Sequence, residues 1–405
     1  MELTREEEEI LKGRRGEAAA RALEAIVKVG EALGAERLVP IRHAHVSGVS
    51  YGNIGEAGAR FLEELAEQGA RFAVPTTVNP LGYDPWDPGF YGATREYVEG
   101  QERIIRALTR MGALPSFTCT PYKTSLFEAE APPPGSHVAW GESSAVVYAN
   151  SFLGLRTNRE GGPLALLAAI AGRTYYYGLH TPEGRIPRVE YRVEAPGPLG
   201  DAEAGVLGAI IGEAHEDPEP PALRASFEGD LALRELSAAL GAAGSVGMVY
   251  VHGLTPEPLP RGWRPEERVT IEAGEVRARL EEHAPASPGE VDLYFVGCPH
   301  LDYEDLARLA SYMRRYGPSR KPFIAATSNE AYIRALGDGT ASTLRSLGVR
   351  IARGTCLIVS PMNLRGVTVA TNSYKALFYL SRRGARVRLA GLEQLARLAA
   401  GAGET

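Results

Sequence analysis

Cys119, Cys298 and Cys356 are the only thiols in a chain of 405 residues. Cys119 sits in SFTCTPY, after an apolar stretch and before a Pro turn. Cys298 sits in VDLYFVGCPH, one residue past a run that reads as a buried strand. Cys356 sits in ARGTCLIVSP, behind Gly354 and Thr355. Taken singly, a cysteine is more often a small buried hydrophobe than a ligand. All three lie in Gly-, Pro- or Thr-rich loop settings, which points towards ligation. The first two lie where a strand gives way to a loop, the place where open α/β sheets hold ligands. Spacing adds little: no C-x-x-C pair occurs, so zinc-ribbon, ferredoxin and thioredoxin patterns are absent. Three thiolates on a four-iron cube would leave one iron for water or a substrate hydroxyl. That iron could polarise a carbon–oxygen bond and help hydroxide leave.

Other segments could supply polar chemistry. Ser47 to Gly58 (SGVSYGNIGEAG) carries four glycines ahead of a helix. Such a loop presents N–H groups to an anion, or is simply a flexible turn. It is not G-x-G-x-x-G, so dinucleotide binding fits poorly. In PTTVNPLGYD, Asn79 ahead of Pro80 could fix a polar substrate group or cap a turn. WGESSAVVYANSFLGLRTNR, from Trp140 to Arg159, is the densest polar stretch. There Glu142 could be a general acid or a helix N-terminal charge, and Arg159 a carboxylate or phosphate clamp. TNSYK carries Lys375, one of only five lysines against 39 arginines. A lysine beside a bound anion acts as a point charge. His43, His45, His180 and His300 show no metal spacing and read as supporting or structural.

Composition bounds these possibilities. With 44% hydrophobic and 23% charged residues the chain is an ordinary soluble globular protein. A net charge of -6 without a basic face excludes nucleic acid as a partner class. The acidic Met1 to Glu9 start is no signal peptide, and no membrane span is visible, so the expected location is cytoplasmic. There a disulfide framework from three distant cysteines is not expected.

The elements that must position these groups alternate between helix and strand. Helices are predicted at Ala18 to Leu33, Gly58 to Glu67, Glu102 to Met111, Leu164 to Ala171 and Tyr303 to Tyr316, and Thr4 with Glu7 reads as a capping box. Strands are predicted at Arg37 to Ile41, Phe72 to Pro75, Val246 to Val251, Val291 to Val296, Phe323 to Ala326 and Leu357 to Val359, with a strand end at Ser116 to Thr120. This alternation implies a multi-domain α/β protein with largely parallel sheets. Glu213 to Pro221 and Gly253 to Glu267 read as linkers or loops. Two units are expected: 1–210, with Cys119 and the Gly-rich loop, and 211–405, with Cys298 and Cys356. The C-terminal segment could pack back on the first unit.

Taken together, SGVSYGNIGEAG, PTTVNP, TCTPY, WGESSAVVYANS, RTNREGGP, the GLH of Gly178 to His180, VGCPH, GTC and TNSYK resemble the aconitase X family of the aconitase superfamily. The resemblance implies aconitase-like three-layer α/β units. It implies a [4Fe-4S] cluster on Cys119, Cys298 and Cys356, with one iron not bound by cysteine. Aconitase itself keeps two cluster cysteines in a close pair, whereas these three are isolated. The form resembles the large subunit of the archaeal two-subunit type. That implies a hydro-lyase converting (R)-5-phosphomevalonate to trans-anhydromevalonate 5-phosphate in a modified mevalonate pathway for isoprenoids. It also implies a separate small subunit bringing the swivelling domain, for which no room is visible after residue 380, and a serine base. In the resulting mechanism the open iron binds the C3 hydroxyl and the base takes the C2 proton. Glu142, Ser143 and Lys375 are the catalytic candidates. Gly48, Val49, Ser50, Asn79 and Pro80 would line the small anionic substrate, with Arg159 and Lys375 facing its charges. The rivals are a hydroxyproline dehydratase on the same scaffold and a non-catalytic binding protein stabilised by a metal.

Overall fold

In the computed structural model, which describes residues 1–401, the expected capping box opens the first helix. The Thr4 hydroxyl accepts from the Glu7 N–H (3.3 Å), and the Glu7 carboxylate accepts from the Thr4 N–H (2.8 Å). The first stretch contains α1 (Arg5–Leu11), α2 (Glu17–Leu33), β1 (Leu38–Pro40), β2 (Ala44–Val46), α3 (Tyr51–Glu67), β3 (Thr76–Val78) and α4 (Arg95–Met111). It continues with α5 (Ser125–Ala129), β4 (Ala139–Trp140), α6 (Ser143–Phe152), α7 (Gly161–Ala171) and β5 (Arg173–Tyr175). Strand β2 pairs in parallel with β3 and β4, while β1 and β5 form an antiparallel pair. Leu23, Ile26, Leu62, Ile104, Met111 and Ile170, from the apolar faces of the surrounding helices, share one core with Val46 of β2.

The middle stretch holds β6 (Val189–Glu194), α8 (Asp201–Ala214), β7 (Ala222–Arg224), α9 (Gly229–Ala243), β8 (Tyr250–Val251), β9 (Glu267–Glu272) and α10 (Ala273–Glu281). Its strands form a parallel sheet ordered β8-β7-β6-β9. The last stretch holds β10 (Leu293–Leu301), α11 (Tyr303–Tyr316), β11 (Phe323–Thr327), α12 (Asn329–Gly337), α13 (Thr340–Ser346) and β12 (Val349–Arg353). It ends with β13 (Thr368–Thr371), α14 (Tyr374–Arg382), β14 (Arg386–Leu389) and α15 (Leu392–Ala399). Its five parallel strands run β12-β11-β10-β13-β14. Strand β10 is buried along its whole length. Tyr294 and Val296 pack into a core with α11, α13 and α15, while Leu293 and Phe295 pack into another with α14 and with Tyr83 and Tyr91 of the first stretch. A central parallel strand covered on both faces needs this unbroken apolar run.

Several expected boundaries move. The segment from Tyr51 onwards is already helical, and Gly55, at φ 56°, breaks it into a first turn and a longer piece. The Gly-rich loop is therefore only Ser47 to Ser50. Phe72 to Pro75 is not a strand; the parallel strand is the β-branched Thr76–Val78 beside it. No strand forms at Ser116 to Thr120; an isolated bridge, Thr77 to Leu114, lies just ahead of it, and the Thr118 N–H donates to the Val78 carbonyl (3.1 Å). The predicted strand Leu357 to Val359 is a turn. The Arg383 guanidinium holds it there by donating to the carbonyls of Leu357 (2.7 Å), Ile358 (3.0 Å), Ser360 (2.9 Å) and Met362 (2.6 Å). Residue 210 falls inside α8, and α15 packs on α11, β10 and β13. The last stretch reaches the first through β10, whose Leu293 and Phe295 pack with Tyr83 and Tyr91, and through the Cys356 segment, by a bridge between Leu81 and Thr355. Among the described residues no helix is long and apolar enough to cross a membrane.

The β10 ladder shifts register between Val296 and Leu301, freeing the residues between them from regular pairing. Gly297 makes this possible. Its φ is 106°, and a Cβ there would stand 2.2 Å from the Ala326 carbonyl oxygen. Gly297→Ala should therefore cost about 3 kcal/mol of stability, read as a lower denaturation midpoint or loss of soluble protein. A wild-type midpoint would show that β10 and β11 can slide apart freely.

Candidate active site

The candidate groups gather because two sheets aim their carboxyl ends at one space. From the β3-β2-β4 sheet come Gly48 to Ser50 after β2, Asn79 and Pro80 after β3, and Glu142 after β4. From the five-stranded sheet come Cys298 in β10, Cys356 after β12 and Lys375 after β13. Ligand crevices of open α/β sheets lie outside the carboxyl ends of parallel strands. The two sets touch directly. Thr355 donates its hydroxyl proton to the Leu81 carbonyl (2.8 Å), and the Ser50 hydroxyl donates to the Val359 carbonyl (3.2 Å).

Glu142 is the hub. It caps α6, its carboxylate accepting from the Ser144 N–H (3.5 Å) and hydroxyl (3.3 Å). Asn79 Nδ2 donates to its other oxygen (2.7 Å). Lys375, at the start of α14, ion-pairs with Glu142 and also donates to Ser143 Oγ (3.0 Å). Burial would raise the Glu142 carboxyl, but Lys375 and the Asn79 hydrogen bond outweigh it and hold it down at about 2. Burial likewise opposes the Lys375 charge, and Glu142 reverses this, leaving the ammonium above its usual range. At neutral pH Glu142 is thus ionised and has no proton to give. Of the two readings of this residue, the geometry supports the helix N-terminal charge rather than the general acid. Behind Asn79 stands His45, its Nε2 2.7 Å from Asn79 Oδ1 and its Nδ1 2.8 Å from Thr77 Oγ1. With the amide N–H committed to Glu142, His45 carries its proton on Nε2. Burial pushes His45 down to about 4, so it is a neutral link.

All three cysteines are buried free thiols. Burial pushes all three thiols up; Cys356 adds to the shift of Cys119, and both add to that of Cys298, which places the three in one neighbourhood. Amide donors already face their sulfurs: the His300 N–H lies 3.2 Å from Cys119 Sγ, and the N–H groups of Ile358 and Val359 donate to Cys356. A bound metal deprotonates such thiols outright. Among the described residues no three His, Cys, Asp or Glu side chains converge as a single ion requires. A lone zinc draws its sulfur ligands within about 2.3 Å of one atom, whereas the cysteines of a cluster sit on different irons and stand further apart. Thiolates are the ligands that iron–sulfur clusters take, so the chemistry of the donor set is compatible with such a group.

The remaining candidates divide. Val49 and Pro80 are buried, and the Val49 carbonyl accepts from Gln101 Nε2 (2.9 Å), so both shape loops. Ser50 is shared with Tyr97 Oη (3.3 Å). Arg159 donates to the carbonyls of Gly244 (2.9 Å) and Gly241 (3.1 Å), at the end of α9. It also lines a cavity of about 620 Å³ together with Asn158, Leu179 and Met248. Sequence reasoning missed Gln101, which joins the Tyr51 and Gly82 N–H groups (both 3.0 Å), and Ser373, whose hydroxyl caps α14 and donates to the Cys298 carbonyl. A buried glutamine on an amphipathic helix and a serine ahead of a helix were the available signals. His43 accepts from Trp140 Nε1 (3.0 Å) and His180 lies against His137 (3.0 Å), both away from the thiols' hydrogen bonds.

Three family profiles span the chain: Aconitase X first domain over residues 1–183, second domain over 187–281 and third domain over 291–401. A protein named phosphomevalonate dehydratase large subunit from Aeropyrum pernix is 54% identical, with 98% of this chain and 100% of that protein covered. A cis-3-hydroxy-L-proline dehydratase from Pseudomonas aeruginosa is 35% identical, covering 95% of this chain but only 67% of its own length. The crystal structure of Thermococcus kodakaraensis aconitase X in its holo form superposes with a TM-score of 0.89 at 37% identity, covering 98% of this chain and 100% of that one. With its site built at the carboxyl ends of the same succession of α/β layers, the chain belongs to the aconitase X family.

Proposed function

We propose that this chain is the large subunit of a phosphomevalonate dehydratase, with Cys119, Cys298 and Cys356 as the ligands of a [4Fe-4S] cluster. The observation that carries this is the meeting of three separate cysteine segments with the Glu142–Lys375 pair, in a chain that matches relatives of that name from end to end. When bound, a cluster with one iron not held by cysteine supplies a Lewis acid for the departing hydroxyl. Lys375 presents a fixed positive charge to the anionic substrate. Glu142 and Ser143 hold that ammonium in place, and Asn79 fixes the Glu142 carboxylate. Gly48, Val49 and Ser50 form the wall opposite, pinned to the Cys356 turn through Val359. Arg159, anchored on the end of α9, extends the positive lining outward.

Among the described residues the two nearest candidate bases for the C2 proton are both committed: Glu142 is tied to Lys375, and His45 is enclosed behind Asn79. The carboxylate next to C2 makes that proton removable, and the base comes from a partner. Relatives of matching length are named large subunits, while about a third of the length of each cis-3-hydroxy-L-proline dehydratase lies outside the match. A small subunit with the swivelling domain and a serine base accounts for that difference. The same comparison weighs against hydroxyproline as substrate. The test is anaerobic reconstitution of both subunits with iron and sulfide, followed by assay on (R)-5-phosphomevalonate and cis-3-hydroxyproline. Turnover of phosphomevalonate alone is expected, and only with both subunits present. Turnover of hydroxyproline alone would overturn the substrate assignment.

A further inference from the structure

We propose that His300 is the positioning residue that fixes the Cys119 and Cys356 segments relative to Cys298; this rests on reading the three thiols as cluster ligands. Three distant stretches meet at its fully buried ring. Its Nε2 lies 3.0 Å from the carbonyl of Thr355, the residue before Cys356. Its Nδ1 lies 3.2 Å from the hydroxyl of Thr118, the residue before Cys119. A carbonyl only accepts, so Nε2 carries the proton and Nδ1 accepts from Thr118. The His300 N–H donates to Cys119 Sγ (3.2 Å), and His300 follows Cys298 by two residues on the shifted part of β10. The position is anchored from behind. The His300 carbonyl accepts from buried Arg234 (3.1 Å), which also pairs with Asp230 (2.8 Å) and Asp305. An imidazole offers a donor on one side and an acceptor on the other at a fixed separation. No other side chain spans both partners from this backbone position.

Amide side chains separate the two contacts. Gln places a donor near Nε2 and keeps the Thr355 link; Asn places its acceptor near Nδ1 and keeps only Thr118. Both chains and His300→Leu are loaded anaerobically with iron and sulfide, with the small subunit present, and challenged with EDTA. Supporting groups around metal sites typically change affinity 10–100-fold when removed. His300→Asn and His300→Leu should therefore lose the cluster about tenfold faster than wild type or more, with an altered EPR line shape, and His300→Gln should be largely rescued. The unfolding temperature of the iron-free chains serves as control. Wild-type loss rates and spectra in His300→Asn and His300→Leu would overturn the inference. So would a His300→Gln chain as poor as His300→Leu, or faster loss explained by a matching drop in iron-free stability with an unchanged spectrum. A wild-type chain that takes up no iron overturns the ligand reading itself, and this inference with it.

Discussion

Cys298→Ser is expected to abolish stable cluster loading and to lower dehydratase turnover by about three orders of magnitude, equivalent to roughly 4 kcal/mol of lost Lewis-acid stabilisation. The expectation follows from where Cys298 stands. It sits on the part of β10 released by the register shift, its carbonyl held by the Ser373 hydroxyl, and His300 two residues on donates its N–H to Cys119 Sγ. A serine there keeps the size and the backbone contacts but replaces a soft thiolate with a hydroxyl that iron–sulfur irons bind poorly. The fold should survive, because the core facing β10 is made by Phe295, Tyr294 and their neighbours. The check is iron and sulfide per chain, brown colour and turnover, measured with the small subunit added. A variant with the wild-type spectrum and full turnover would sink the cluster assignment.

Breaking the Glu142–Lys375 pair should cost both activity and stability. Both side chains are nearly enclosed, at 12% and 10% exposure, so neither orphaned charge can recover its hydration. Glu142→Gln or Lys375→Met alone should destabilise the chain by about 3–5 kcal/mol. The double variant should lose less than the sum, because it leaves no buried charge unpaired. Turnover should fall in all three, and the double variant should recover stability without recovering turnover. That split separates the charge presented to substrate from its role in holding the fold. The same pair has a pH signature. The Glu142 carboxyl falls from its ordinary 4.5 to about 2 in the folded chain. Its stabilising contribution is therefore complete above about pH 4.5 and is lost as the pH falls towards 2. Wild type should shed this contribution over that window, and Glu142→Gln should not. Parallel acid denaturation curves for the two would refute the pairing.

Local chemistry made much of this molecule legible. The helix Tyr303–Tyr316 is marked by Asp302 and Asp305 at its start and arginines at its end, and the structure keeps those bounds. The capping box at Thr4 is equally local. The long apolar run around Leu293 announced a strand covered on both faces. Strands β2 and β4 were passed over, β3 was placed a few residues early and β8 was found but drawn too long, because two or three residues carry almost no periodicity. The turn at Leu357 to Val359 was read as a strand because its apolar residues look β-like. Its shape comes instead from Arg383, which local patterning cannot foresee.

The sequence by itself determined the layer type, the family and the three thiols worth suspecting, since these follow from periodicity, caps and motif content within short windows. Only the tertiary structure decided that Lys375 meets Glu142 across 233 residues, that the glutamate is held ionised, and that His300 joins the cysteine segments. The physical reason is sheet order. Which strand ends lie side by side depends on how whole layers pack, and that packing sets the burial and the neighbours from which each group's charge state follows.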